Sequence, residues 1–186
     1  EQAVVKTTFS TILRESRDFA VILTDTAGRS VCQSSLSTAT FAAVFPRTAK
    51  ELLERFPLES LKPGDVLATN DPWLGTGHLP DYILLTPVFQ DGRPIACVGS
   101  VAHVSDVGGH PGEIEGEDVF SEGLRLPPCK LVEQGRENEL AFAVIGANTR
   151  APDLLLGDLR AMIGAARIGG RAIREVLDSA GLEDLT

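Results

Sequence analysis

The sequence predicts an α+β fold: a hairpin-rich mixed sheet, a short helix near residues 46–56 and a longer C-terminal helix near residues 158–180. Three observations carry this. Asp91-Gly92 lies between two apolar runs, and the tight turn that twisted strands favour needs positive φ at both central residues, which Asp and Gly tolerate. Asp25-Thr26-Ala27-Gly28-Arg29 interrupts a second stretch rich in Val, Ile and Phe in the same manner. At the end of the chain, Leu159, Met162, Ile163, Ala166, Ile173, Val176, Leu177 and Ala180 recur with the 3.6-residue period of one helix face.

Taken in order, residues 18–33 form the first hairpin. Pro46 suits a first helical position, Ala49, Leu52, Leu53 and Phe56 follow at helical spacing, and Pro57 ends the run, so the short helix is set at 46–56. The turn Leu61-Lys62-Pro63-Gly64-Asp65 leads into a strand from Val66 to Thr69. Residues 70–81 hold three turns bracketed by Gly or Pro and read as a loop, followed by strands from Tyr82 to Phe89 and from Pro94 to Val104. Gly108-Gly109-His110-Pro111-Gly112 opens an acidic loop in which Glu113, Glu115, Glu117 and Asp118 read as a solvated face. Asp158 is the predicted N-cap of the last helix. Gly164, Gly169 and Gly170 within it each cost about 1 kcal/mol relative to Ala, which points either to a close neighbour or to a break near Gly169-Gly170. Its apolar stripe is expected to face further sequence or a partner.

Composition excludes several functions. The chain has 186 residues, 43% hydrophobic and 23% charged, which is ordinary for a folded domain, and no composition shift demands a second one. Its formal charge is -9 and no two Lys or Arg residues are adjacent, so it lacks the electrostatic footprint of a protein that grips nucleic acid or an anionic membrane. No apolar stretch approaches the ~20 residues that span a bilayer, and three widely spaced cysteines form no CxxC pair. A cytoplasmic protein is expected.

Chemistry concentrates around two of the three histidines. With Asp91-Gly92 as a two-residue turn, Gln90 faces Arg93, and counting back along regular strands sets His103 opposite Pro80. His103 then lies beside His78-Leu79-Pro80-Asp81 and shares a face with His78. Asp81 would point to the other face, unless Pro80 bends the entry and brings it round. Two imidazoles and one carboxylate suit Zn, Mn or Fe with positions left for water or substrate. The alternative is a pair of histidines hydrogen-bonded at a loop base. His110 reads as a solvated loop residue. No GxSxG elbow supports Ser100 as a nucleophile, and no GxxxxGK[ST] motif offers a phosphate cradle.

Arg17-Asp18-Phe19, Leu61-Lys62-Pro63-Gly64-Asp65-Val66, Asn70-Asp71-Pro72-Trp73 and Gly77-His78-Leu79-Pro80-Asp81 are followed by Ala102-His103-Val104-Ser105-Asp106-Val107-Gly108-Gly109. Then come Phe120-Ser121-Glu122-Gly123-Leu124-Arg125-Leu126-Pro127-Pro128 and Gly157-Asp158-Leu159-Arg160. In this order the motifs resemble the hydantoinase B family, which includes the B subunit of ATP-dependent N-methylhydantoinase, the matching half of 5-oxoprolinase and the alpha-type subunits of acetone and acetophenone carboxylases. The resemblance covers nearly all of residues 1–186, which look like the N-terminal portion of a longer subunit, as a single domain or a fragment of one. It implies that His78, Asp81 and His103 are catalytic metal ligands, joined by Asp18 in some members. It also implies a partner of the A type with an actin-like ATPase fold, which uses ATP to activate substrate or bicarbonate. The implied activity is cleavage of a cyclic amide by a heteromeric complex, the chain being inactive alone. The alternatives are ketone carboxylation and a non-catalytic assembly fragment. Where many members carry a histidine-rich segment, this chain has Ser37-Thr38-Ala39-Thr40-Phe41.

Overall fold

The structure, a computed structural model, describes residues 2–110 and 118–185. The acidic face expected at Glu113, Glu115 and Glu117 lies outside the described residues.

Asp91 and Gly92 both take positive φ, 49° and 79°, as the tight hairpin turn requires. The described strands are β1 (Phe19–Thr24), β2 (Ser30–Gln33), β3 (Val66–Thr69), β4 (Asp81–Gln90), β5 (Arg93–His103), β6 (Cys129–Glu133) and β7 (Arg136–Glu137). They form one sheet in the order β2-β1-β5-β4-β3-β6-β7, so the Asp-Gly hairpin is its centre. The α+β class holds, but every pairing is antiparallel rather than mixed, because all of the neighbours run in opposite directions.

Helices cover both faces, which is why β4 is buried along most of its length instead of alternating. Tyr82 and Leu84 point to one face, toward α1 (Gln2–Thr7), α4 (Glu139–Ala147) and α5 (Pro152–Ala180); Ile83 and Leu85 point to the other, against α2 (Ala39–Arg55). A four-residue helix, α3 (Val119–Glu122), is capped by the Asp118 carboxylate, which accepts from the Phe120 and Ser121 amides.

Two helix boundaries correct the sequence reading. α2 starts at Ala39, seven residues before Pro46, and carries Pro46 in its interior. Phe41, Ala42, Phe45, Ala49 and Leu52 make one buried stripe on the sheet, and that burial outweighs the local preference of Pro46 for a first turn. Phe45 fits only because Gly99 lies opposite: a Cβ there would stand 1.8 Å from Phe45 Cζ.

α5 starts at Pro152 with the proline in its first turn, and runs unbroken to Ala180. Asp158 is therefore not its N-cap. It is wholly buried inside the helix, where its Oδ1 accepts from the backbone amides of Phe9 (2.7 Å) and Ser10 (3.2 Å) and ties down the N-terminal segment. No break occurs at Gly169-Gly170: Gly170 lets the helix approach β4, since a Cβ there would lie 3.3 Å from Val88 Cγ2. Gly164 has no such neighbour among the described residues. Ile163 and Leu177 pack within the chain's own core, so that part of the stripe does not await a partner.

Candidate metal centre

The centre is built where the β4–β5 hairpin ends. A one-residue irregularity between Val88 and Phe89 pairs Phe89 with Pro94 but Val88 with Ala96, leaving Ile95 as the extra residue on β5. Every pair beyond it moves by one. His103 faces Asp81, not Pro80, so the expectation that Asp81 would point away from His103 is corrected. Directly opposed residues share a face, and Asp81 and His103 lie on the α2 side with Ile83 and Val101.

His78 reaches the same point from the preceding loop, which is clamped through Leu79. Asn70, buried at the end of β3, donates from Nδ2 to the Leu79 carbonyl (2.7 Å) and to that of Leu124 (2.9 Å). Its Oδ1 accepts from the Leu126 amide (2.6 Å). The Leu79 amide donates to Glu122 Oε2 (3.0 Å). Both backbone groups of Leu79 are thus engaged, and its side chain is fully buried, so His78 and Pro80 are carried on a fixed residue.

Asp81 lies between the two imidazoles. Its Oδ1 is 3.0 Å from His103 Nδ1, its Oδ2 is 3.1 Å from His78 Nε2, and the Thr76 hydroxyl donates to Oδ2. The two rings stand 5.2 Å apart, centroid to centroid, inclined at 52°. Burial pushes the Asp81 carboxyl up, but hydrogen bonds from His103, His78 and Thr76 together outweigh it and hold the group below its usual range. The hydrogen bond to Asp81 raises the His78 imidazole in turn, with smaller contributions from the charges of Glu122 and Asp18.

One ligand atom from each of His78, Asp81 and His103 lies within 4.8 Å of the other two. Two nitrogens at ~2.0–2.1 Å from one zinc ion are at most about 4 Å apart, so the set fits a single divalent ion after small side-chain movements. His78 Nδ1 is buried and has no hydrogen-bond partner among the described residues, while Nε2 meets Asp81 and orients the ring. Neutral imidazoles and a carboxylate are donors for Zn, Mn or Fe.

Asp18 does not join this set. Its carboxylate accepts from the Thr38 hydroxyl (3.1 Å), while its carbonyl accepts from the His103 amide (3.0 Å), so it braces the second histidine through the backbone. His110 is exposed, as expected, and lines a cleft of about 200 Å³ with His78, His103 and Glu122. Asn70 and Glu122 fall within the motifs quoted above, but neither their role nor that of Thr76 is legible in the sequence, because their contacts with Leu79 and Asp81 depend on loop closure.

A family model described as hydantoinase B/oxoprolinase matches residues 1–186. The chain belongs to the hydantoinase B/oxoprolinase family. Among its relatives, the B subunit of a putative D-/L-hydantoinase from Pseudomonas sp. (strain NS671) is 33% identical over 97% of this chain and 31% of its own length. The crystal structure of the ATP-dependent caprolactamase from Pseudomonas jessenii superposes with a TM-score of 0.84 at 28% identity, over 98% of this chain and 32% of that one. The nucleotide-free structure of acetone carboxylase gives a TM-score of 0.82 at 21% identity, over 99% of this chain and 24% of that one, a likeness of fold. The chain thus spans about a third of the length of the curated relatives it first matches.

No described helix is long and apolar enough to cross a membrane.

Proposed function

We propose that this chain is the metal-bearing part of a cytoplasmic, heteromeric enzyme that cleaves a cyclic amide, a hydantoin or lactam, after ATP-dependent activation by an A-type ATPase partner. The observation that carries the reading is the convergence of His78, Asp81 and His103 beside a cleft that the two histidines line, in a chain whose structural likeness to an ATP-dependent caprolactamase extends over almost all of its length.

The division of labour follows from chemistry. Amide carbonyls are poor electrophiles, and this sequence carries no phosphate-binding Gly-Lys motif, so activation falls to the partner and the remainder of the enzyme. A divalent ion at the centre supplies Lewis-acid polarisation of a carbonyl or phosphoryl oxygen and lowers the pKa of bound water. His78 and His103 would hold it through one ring nitrogen each and Asp81 through its carboxylate. Thr76 keeps the Asp81 carboxylate turned toward both rings, and Asp18 braces His103 from behind and is the further candidate ligand that the family resemblance suggests.

Reconstitution with an A-type ATPase and the rest of the metal-bearing polypeptide tests this. Turnover of hydantoin or caprolactam is expected to require ATP and to fall at least 100-fold in His78→Ala and in Asp81→Ala. ATP-independent hydrolysis indifferent to those substitutions overturns the reading, and turnover confined to a ketone with bicarbonate replaces it with carboxylation.

A further inference from the structure

Trp73, the one tryptophan of the chain, is 59% exposed yet held from several sides. Its amide donates to Asp71 Oδ1 (3.1 Å), its carbonyl accepts from the Arg47 guanidinium (3.2 Å), and the Arg125 guanidinium lies over the indole, 5.5 Å from the ring centroid. The carbonyl of the next residue, Leu74, accepts from the Thr48 hydroxyl, so α2 pins this turn at two adjacent residues. A large aromatic surface left in water on a turn that is itself fixed in place is a ready platform for a ligand.

The indole borders a cleft of about 630 Å³ that also touches Pro72, Val119, Asp118, Glu122 and His78. This volume falls within the range of small-molecule sites. Resting on the hydrolase reading above, we propose that this cleft seats the ring of an uncharged cyclic amide against Trp73, with the amide edge toward Glu122 and His78. The methylene face of such a ring matches Trp73, Pro72 and Val119. Glu122 uses Oε2 for the Leu79 amide and, as a carboxylate with two oxygens, retains acceptor capacity for an amide N–H.

The lining also sets charge preference. Asp118 and Glu122 are both carboxylates, and no Lys or Arg joins them among the described lining residues; Arg125 stacks on the indole without lining the cleft. In the metal-free chain a ring that carries its own carboxylate meets like charge here, whereas hydantoin and caprolactam do not.

Because Trp73 is the sole tryptophan, its emission reports directly on the cleft. Titration of the metal-free chain with caprolactam or hydantoin is expected to change that emission saturably, with 5-oxoproline requiring at least tenfold higher concentration. In the reconstituted enzyme, Trp73→Ala is expected to raise KM by about tenfold, more than it lowers kcat, with Trp73→Phe recovering most of the loss. Emission that stays constant at concentrations saturating turnover, or tighter binding of 5-oxoproline than of caprolactam, overturns the proposal. Saturable quenching without ATP-dependent turnover removes the hydrolase reading and leaves the cleft assignment standing. Turnover with KM untouched by Trp73→Ala does the reverse.

Discussion

Asp81 meets His103 across the β4–β5 ladder at 3.0 Å, and the other oxygen of the same carboxylate meets His78 at 3.1 Å. One buried group therefore orients both imidazoles, and its own orientation depends on the Thr76 hydroxyl. Thr76→Val keeps the volume and removes the donor. Zinc affinity is expected to drop by about 10–100-fold, the usual cost of losing a hydrogen bond behind a ligand, while the melting temperature changes little. Calorimetric titration with zinc checks this, and unchanged affinity would show that Thr76 does not orient the centre.

Gly99 is required by Phe45. Gly99→Ala is expected to destabilise the chain by about 3 kcal/mol, the upper end for overpacking, because neither a central strand nor a ring under α2 can retreat. Phe45→Leu in the same chain is expected to recover part of that loss in urea unfolding. Equal stability of Gly99→Ala and the unaltered chain would place α2 differently.

Asp65 is expected to make the fold acid-sensitive. Its buried carboxylate accepts from Lys130 Nζ (2.9 Å) and from the amides of Gln134 (2.7 Å) and Lys62 (3.0 Å). Burial pushes its pKa up, but Lys130 and the two amides outweigh that and hold it below the unfolded value. A depressed carboxyl contributes stability that is fully present above the unfolded pKa of about 3.9 and lost as pH falls through the folded value. Asp65→Asn is expected to cost about 2 kcal/mol at pH 7 and to flatten the acid limb of the stability profile below about pH 4. An unchanged acid limb assigns the sensitivity to other groups.

Asp158→Ala is expected to release the N-terminal segment. Loss of two bonds to a buried carboxylate costs about 2–3 kcal/mol, and amide exchange at Phe9 and Ser10 should rise well above that of the sheet. Protection at those two amides equal to that in the unaltered chain would refute the tie.

Much of this architecture was open to inspection in the residues themselves. Asp91-Gly92 specified its hairpin because few residue pairs accept positive φ twice in succession, and that hairpin already drew His103 to the His78 loop. The apolar period from Leu159 to Ala180 marks the long helix, although the cap-like chemistry of Asp158 hides its start at Pro152. The start of α2 is hidden in the same way, since the preference of Pro46 for a first turn is visible in the sequence while the sheet that buries Phe41 and Phe45 is not.

By itself, then, the sequence determined the α+β class, the central hairpin, the two principal helices and the residue types able to bind a divalent ion, since turn chemistry and hydrophobic period act over a few neighbouring positions. Tertiary structure alone decided that Asp81 faces His103, that Asn70, just past β3, and Glu122 of α3 clamp Leu79, and that Asp158 lies inside a helix holding Phe9 and Ser10. Each of these depends on where distant segments come to rest: one extra residue at Ile95 reverses which face every later side chain of β5 takes, and a buried carboxylate acquires partners only when the backbone around it has closed.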